Sequence, residues 1–340
     1  MSASKMERVT SAIGHYRARR LTYRPILCVI EFIVGAVVLR VFVSSAAAEF
    51  MAMLIFINAL AALGLNVIFG MAQLISIAQA AVMAVSAYTM GILIADHHVY
   101  LPLAAVAGVA AATIVSAFAG LVAERIRSHY YILVTLSIAG AIQLFLINGQ
   151  EITGGANGMQ VPIQLALFGQ DLTTNDALVI VGLAMVLVGW YCAASIGSSR
   201  TGRAITLAGA NEHLALSCGV SPRRMWLVAS IIGGAFAGVA GVLFTMVVQY
   251  LGPSDFELDQ ALLLLLIVVV GGMGSPTGVV VAAAVVTYLS NGFLQLTSVG
   301  PLVYGAGIVL LLIVMPTGLA GLLRLIARRT TTTWSRLRPT

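Results

Sequence analysis

The sequence predicts an all-α polytopic membrane protein: about ten transmembrane helices, one of them short and broken, with the amino and carboxyl termini both cytoplasmic. Three observations carry this. Of the 340 residues, 60% are hydrophobic and 9% charged, and the mean hydropathy is +1.02. A soluble domain is roughly 45–50% apolar and about 25% charged, so the chain has too few charges to cover a soluble surface. The apolar residues form continuous runs, many near the ~20 that cross a bilayer, without the alternating polarity of a membrane barrel. Lys and Arg gather in alternate segments between the runs, as the positive-inside rule requires.

Residues 1–25 form a basic cytoplasmic segment with Lys5, Arg8, Arg17, Arg19, Arg20 and Arg24. The first apolar run, 26–43, is followed by Ser44-Ser45-Ala46-Ala47-Ala48, which imitates a signal-peptide cleavage site. It exceeds the usual apolar core of about 7–15 residues, so it reads as an uncleaved span. Further runs cover 50–70, 74–95, 101–123, 130–148, 177–195, 225–249, 261–271, 277–297 and 302–316. The membrane domain therefore extends over 26–316, and 317–340 is a basic cytoplasmic tail carrying Arg324, Arg328, Arg329, Arg336 and Arg338.

Run 261–271 is short and stops at Gly271-Gly272-Met273-Gly274-Ser275-Pro276. It reads as a half-helix broken by a Gly/Pro turn, a backbone tolerated at membrane depth only when buried in protein or lining a cavity. A second Gly-interrupted stretch surrounds Gly70; corresponding breaks can mark a pathway between two halves. The face Gly234-x-x-x-Gly238, with Ala237 and Gly241, suits close helix packing, within the chain in preference to a dimer seam.

With the amino terminus inside, ten passes place 17 of the 18 Lys and Arg on the cytoplasmic side. Arg40 alone lies elsewhere, near the outer end of the first span, where its side chain can snorkel. Outer loop 149–176 has Glu151, Asp171 and Asp176 but no Lys or Arg; outer loop 250–260 carries Asp255, Glu257 and Asp259. If 261–271 did not cross, the basic tail would move outside. The same distribution accounts for the net charge of +6 without nucleic acid.

Several chemistries are excluded. A Walker A phosphate loop needs G-x-x-x-x-G-K-[S/T], and the single lysine, Lys5, follows no such glycines. Cys28, Cys192 and Cys218 have neither metal-ligand spacing nor a disulfide framework. Asp96-His97-His98 lacks a fourth ligand, so no metal is expected. No Ser/His/Asp or HExxH constellation occurs and no carboxylates pair within the spans; no catalytic residue is assigned and the chain is not read as an enzyme.

Polar residues within spans are costly. Asn66, Gln73, Ser76, Gln79, Ser86, Ser137 and Gln143 either bond between helices or line a pathway, and Asn66, Gln73, Ser76 and Gln79 are the pathway candidates. Glu31 is the one acid in the body of a span. It pairs with Arg40, lies near the interface, or relays protons. The alternative function, an ion-coupled secondary transporter of a small polar solute, would prefer several such acids.

The most informative segment is the cytoplasmic loop 196–224. It opens Ser199-Arg200-Thr201-Gly202-Arg203-Ala204, passes Asn211-Glu212-His213, and closes Cys218-Gly219-Val220-Ser221-Pro222. One short helix over 205–216 is expected, stopped by Gly219 and Pro222. Its apolar positions include Ile205, Leu207, Ala208, Leu214, Ala215 and Leu216. They make it either a solvated connector or a helix that docks in the groove of a cytoplasmic partner.

This Gly-Arg-Ala…Asn-Glu…Gly-Val stretch resembles the coupling loop of the permease subunits of branched-chain amino acid ABC importers. Leu65-Asn66, Gly70, Gln73-Leu74 and Ser76 are similar to that family's Leu-Asn…Gly…Gln-Leu-Ser stretch, and Ala87-Tyr88-Thr89 follows. Thr153-Gly154-Gly155-Ala156-Asn157-Gly158 resembles its outer Thr-Gly-Gly-x-x-Gly loop. Gly271-Gly272-Met273-Gly274-Ser275 and Pro316-Thr317-Gly318-Leu319 resemble its last two signatures. The resemblance covers residues 50–322 in order and is closest to the longer of the two permease types. Three departures occur. Gly209 and Ala210 stand where the family often has charges, Leu216 where it often has a second acid, and Ala78-Gln79 where it often has Gly-His.

The resemblance implies a bacterial inner-membrane importer. Its pathway would join this chain to a second permease subunit, identical or paralogous. Cytoplasmic ATP-binding subunits would dock on the loop and hold ATP and magnesium, so this chain needs no cofactor of its own. A periplasmic binding protein would deliver branched-chain or related amino acids, with urea and short amides also open. The implied coupling residues are Arg200, Gly202, Arg203, Asn211, Glu212 and Gly219. Glu212 is the charged contact to the ATPase, and Arg200 and Arg203 face the partner or the phospholipid surface. Gly154, Gly155, Asn157 and Gly158 form the outer loop, and Gly271, Gly272 and Gly274 the broken-helix turn.

Overall fold

A computed structural model of the protein describes residues 46–125, 130–162, 166–167, 170–171 and 175–294. The chain divides into two compact units, 1–49 and 50–340. In the first, the described residues cover only the opening turn of one helix; all other described elements belong to the second. The expected spans 26–43 and 302–316, Glu31, Arg40, the Pro316-Thr317-Gly318-Leu319 signature and both tails lie outside the described residues.

Helix α1 (Ala46–Leu65) runs directly into a π-helical turn, Asn66–Met71. Then come α2 (Gln79–Ala95), α3 (Leu101–Arg125), α4 (Tyr131–Asn148) and the single turn α5 (Gln150–Thr153). After β1 (Met159–Gln160), β2 (Ala166–Leu167) and β3 (Gln170–Asp171) the chain enters α6 (Asn175–Ser198), α7 (Arg200–Ala210), α8 (Glu212–Ser217) and α9 (Pro222–Val248). Strand β4 (Tyr250–Leu251), α10 (Leu258–Gly271) and α11 (Pro276–Leu294) complete the described chain. β1 pairs antiparallel with β4, and β2 with β3.

Every apolar run expected within the described residues contains a helix, and the run at 277–297 is described only to residue 294. Five helical stretches, Ala47–Met71, Leu101–Val122, Tyr131–Asn148, Leu178–Ser198 and Pro222–Val248, are long and apolar enough to cross a membrane. α2 and α11 are shorter apolar helices, and α10 has 14 residues. The run expected at 74–95 becomes helical only at Gln79. Its first residues stay apolar because Leu74 packs into the core, while the backbone there has left the helix.

α9 is the axis of the packing, and its glycines explain why. A Cβ on Gly238 would lie 2.9 Å from Val109 Cα, one on Gly234 would collide with Ser116, and one on Gly241 would collide with the Met83 carbonyl. Backbones therefore meet without side chains between them, which is how apolar helices associate in lipid. The close-packing face expected around Gly234 and Gly238 is thus filled by α2 and α3 of the same chain. Hydroxyls complete the joint: Ser86 donates to the Gly238 carbonyl at 2.8 Å and Ser116 to the Ser230 carbonyl at 2.7 Å. By contrast α3, α4 and α6 expose large apolar side chains, among them Phe118, Leu133, Leu144 and Val188, the surface that lipid covers.

Gln79 ties α1 to α9. Its Nε2 donates to the Ala61 carbonyl at 3.2 Å and the Gly233 carbonyl at 3.1 Å, beside Gly64, where a Cβ would meet Phe236 Cβ at 2.6 Å. Hydrogen bonds between membrane helices contribute about 0.6 kcal/mol each on average. Gln79→Leu is therefore expected to destabilise the protein by ~1 kcal/mol, read as a lower unfolding midpoint in detergent. An unchanged midpoint would show that this bridge contributes nothing to stability.

Candidate functional site

The loop between α6 and α9 folds as a two-helix hairpin. Ser199 caps α7: its Oγ accepts from the Gly202 N–H at 2.9 Å, satisfying one of the orphan donors of the first turn. Gly202 is buried against the end of α6, where a Cβ would strike the Ile196 carbonyl. This sharp corner explains the glycine between the two arginines. Arg200 and Arg203 point outward, and Arg203 Nη1 donates to the Ser198 carbonyl at 2.7 Å.

The inner face of α7 seals onto the π turn. Ile205 is fully buried in a cluster with Val67, Ile68, Met71, Ala72, Leu74, Tyr131, Trp226 and Ala229. Gly209 brings backbone to backbone: a Cβ there would lie 2.7 Å from the Ala72 carbonyl carbon and 2.8 Å from the Met71 carbonyl oxygen.

The single helix expected over 205–216 is two helices. Asn211 breaks it, with an extended backbone at φ −158°, ψ 111°, because its side-chain oxygen accepts from the Leu214 N–H at 3.0 Å and caps α8. Glu212 then stands exposed in the first turn of α8, where a carboxylate complements the helix dipole. Ala215 is buried while Leu214 and Leu216 are about half exposed, at 51% and 56%. Gly219, at φ +74°, ends the hairpin as expected, and α9 begins at Pro222.

On its other side the π turn meets the break between α10 and α11. Asn66, buried, accepts from the Gly274 N–H through Oδ1 at 2.8 Å. Gly70 makes this approach feasible: a Cβ would fall on Asn66 Oδ1 and 2.6 Å from Gly274 N. The two glycine breaks read from the sequence are therefore in contact. Gly272 and Gly274 have φ +93° and +78°, the left-handed region that favours glycine. Gly271 packs α10 on α11, a Cβ being 2.7 Å from Val279 Cα.

The π turn unwinds through Ala72 N–H to the Val67 carbonyl and Leu74 N–H to the Ile68 carbonyl, each at 3.1 Å. It leaves Gln73 exposed with a left-handed φ of +55°, a strained state for a residue with a side chain. Ser76 and Gln79 are buried. Asn66 and Gln79 are thus engaged in bonds that hold elements together.

The outer Thr-Gly-Gly-x-x-Gly stretch is a stitched turn. Thr153 Oγ1 lies 2.7 Å from the Leu146 carbonyl oxygen. Gly154, Gly155 and Gly158 have φ of +75°, +63° and +68°, and a Cβ on Gly158 would strike the Leu251 carbonyl. The Tyr250 hydroxyl donates to the Asn157 carbonyl at 2.6 Å, and the Tyr88 hydroxyl to the Leu251 carbonyl at 3.1 Å. The β1–β4 pairing thereby fastens this loop to α2 and to the end of α9.

Sequence reasoning missed a cavity of about 710 Å³ between α1, α10 and α11. Its polar groups form a bridge: Asn58 Nδ2 donates to Thr287 Oγ1 at 3.1 Å, and Gln260 Nε2 donates to Asn58 Oδ1 at 2.8 Å. Asp255, Asp259, Ser290 and Asn291 also line it, with Leu54, Leu262 and Leu266 among the apolar walls. Asp255 Oδ2 accepts from the Gly252 N–H at 3.1 Å; burial pushes its carboxyl above the usual range, and this hydrogen bond offsets part of the rise. Asn58 in the midst of an apolar run was the signal available. None of Asn66, Gln73, Ser76 and Gln79 lines this cavity.

A mostly helical body with several membrane-length apolar helices, a broken half-helix and a helical hairpin seated on its core defines a multi-pass membrane protein. Residues 47–316 match the family described as branched-chain amino acid transport system / permease component, and the chain belongs to that family. It is similar to the high-affinity branched-chain amino acid transport system permease protein LivM of Escherichia coli (strain K12), 29% identical over 206 residues, 54% of this chain and 48% of that protein. LivM of Salmonella typhimurium is 28% identical over the same length. LivH of Salmonella typhimurium is 28% identical over 181 residues, 52% of this chain and 54% of that protein. The chain spans about half the length of the curated relatives it matches. No solved structure matches it. The expected resemblance to the longer permease type fits the LivM relatives.

Proposed function

We propose that this chain is a membrane-spanning permease subunit of an ATP-driven importer, forming part of the pathway for branched-chain or related amino acids. About ten spans over 26–316 lie in a bacterial inner membrane, with segments 1–25 and 317–340 both cytoplasmic. The observation that carries the reading is the α7–α8 hairpin. It is rigidly capped, buried on one face against the π turn, and presents Glu212, Leu214 and Leu216 outward. A connector needs no such face; a docking element does. Partner subunits hold ATP and magnesium, since Lys5 is the only lysine in the chain and lacks a phosphate loop. A second permease subunit completes the pathway, and a periplasmic binding protein supplies the outer face.

Purification from native membranes in mild detergent tests this. An ATP-binding subunit is expected to accompany the chain and to be lost when residues 199–222 are altered. Glu212→Ala is expected to weaken that association about fivefold, ~1 kcal/mol for one exposed charge pair, with normal membrane insertion. Unaltered docking and transport would sink the role of Glu212. Uptake driven by an ion gradient alone, with no ATPase attached, would replace the whole reading with a secondary transporter.

A further inference from the structure

We infer that the cavity between α1, α10 and α11 holds the transported amino acid by both its charged ends and its hydrocarbon side chain, an assignment that rests on the importer reading. The chemistry of the lining selects the ligand. Among the described residues it is lined by two carboxylates, Asp255 and Asp259, and by no Lys, Arg or His. An anion is repelled there, and an ammonium group finds its complement in a cleft whose walls focus the field.

The carboxamides supply the other half. Gln260 Nε2 gives one hydrogen to Asn58 Oδ1, and Asn291 Nδ2 gives one to the Thr287 carbonyl at 3.0 Å. Each NH₂ has two hydrogens, so each has a second donor for a ligand carboxylate. Asn58 gives one hydrogen to Thr287 and accepts from Gln260; it fixes the amide of Gln260, and its own NH₂ likewise keeps a second hydrogen. Leu262 and Leu266 follow Asp259 and Gln260 along α10 and face the same space. A zwitterion with a branched aliphatic side chain satisfies all three surfaces. Binding sites are built this way, with mostly apolar walls and a few convergent polar groups. The volume of about 710 Å³ leaves room for water beside the ligand, at ~30 Å³ per molecule, which suits a site that must also release it.

The test uses the assembled importer, with its partner subunits, in proteoliposomes. Equilibrium binding and ATP-dependent uptake of radiolabelled L-leucine are both measured. Asp255→Asn/Asp259→Asn is expected to weaken L-leucine binding at least tenfold and to slow uptake in proportion. Asp259→Glu, which keeps the charge, is expected to retain most of both and so separates loss of charge from loss of fold. In the wild type, 3-methylbutylamine, which keeps the ammonium, should compete with L-leucine, and 4-methylpentanoate, which lacks it, should not. Wild-type binding and uptake in the double variant, or equal competition by both analogues, would overturn the site and leave the importer reading standing. A wild-type assembly that takes up no L-leucine with ATP would overturn the reading and the site together.

Discussion

Gly70→Ala is expected to destabilise the protein by ~2–6 kcal/mol, combining ~1–3 kcal/mol of overpacking with ~1–3 kcal/mol for a buried hydrogen bond lost. The methyl group would occupy the place of Asn66 Oδ1 and crowd Gly274 N at 2.6 Å. Neither neighbour can yield cheaply, since one is a buried amide and the other is backbone. The readout is the fraction of monodisperse protein after extraction and its unfolding midpoint. Asn66→Ala/Gly70→Ala removes one of the two colliding atoms, so the double variant should be better folded than the sum of the single changes predicts; contacting residues couple in this way. Wild-type folding of Gly70→Ala would show that Asn66 does not hold the α10–α11 turn.

Gly209→Leu is expected to reduce ATP-dependent uptake at least tenfold while the spans still insert and the ATPase still associates. The added side chain would drive α7 off the backbone of Met71 and Ala72, from which even a Cβ would lie only 2.7–2.8 Å away. The exposed face of α8 is untouched, so docking and transmission separate. Gly209→Ala should show an intermediate loss. Uptake in proteoliposomes beside co-purified ATPase is the measurement. Full uptake with the leucine in place would mean that α7 need not rest on the π turn for transport.

The helices were legible because continuous apolar runs need no tertiary information to be recognised. The start of α2 was not: Leu74, Ile75 and Ile77 are as apolar as helical residues, and only the packing of Leu74 in the cluster around Ile205 reveals an unwound chain. The break in the hairpin was readable in principle, since Asn211 followed by Glu212 is a helix-start signal. Gly209, read as a departure from a charged family position, has a steric reason that only the neighbouring backbone supplies. The cavity was beyond reach because its bridge joins residues 202 and 229 positions apart, and no local pattern encodes such pairs.

The bond between Asn66 and Gly274 also sets an order of events in biosynthesis. The two residues are separated by 208 positions, and a chain grows at ~5–20 residues per second. Asn66 therefore leaves the ribosome about 10–40 s before its donor exists. During that interval the Gly274 N–H that Asn66 accepts from is still unmade. A chain truncated before the α10–α11 turn would lack the Gly274 donor that Asn66 uses in the complete fold.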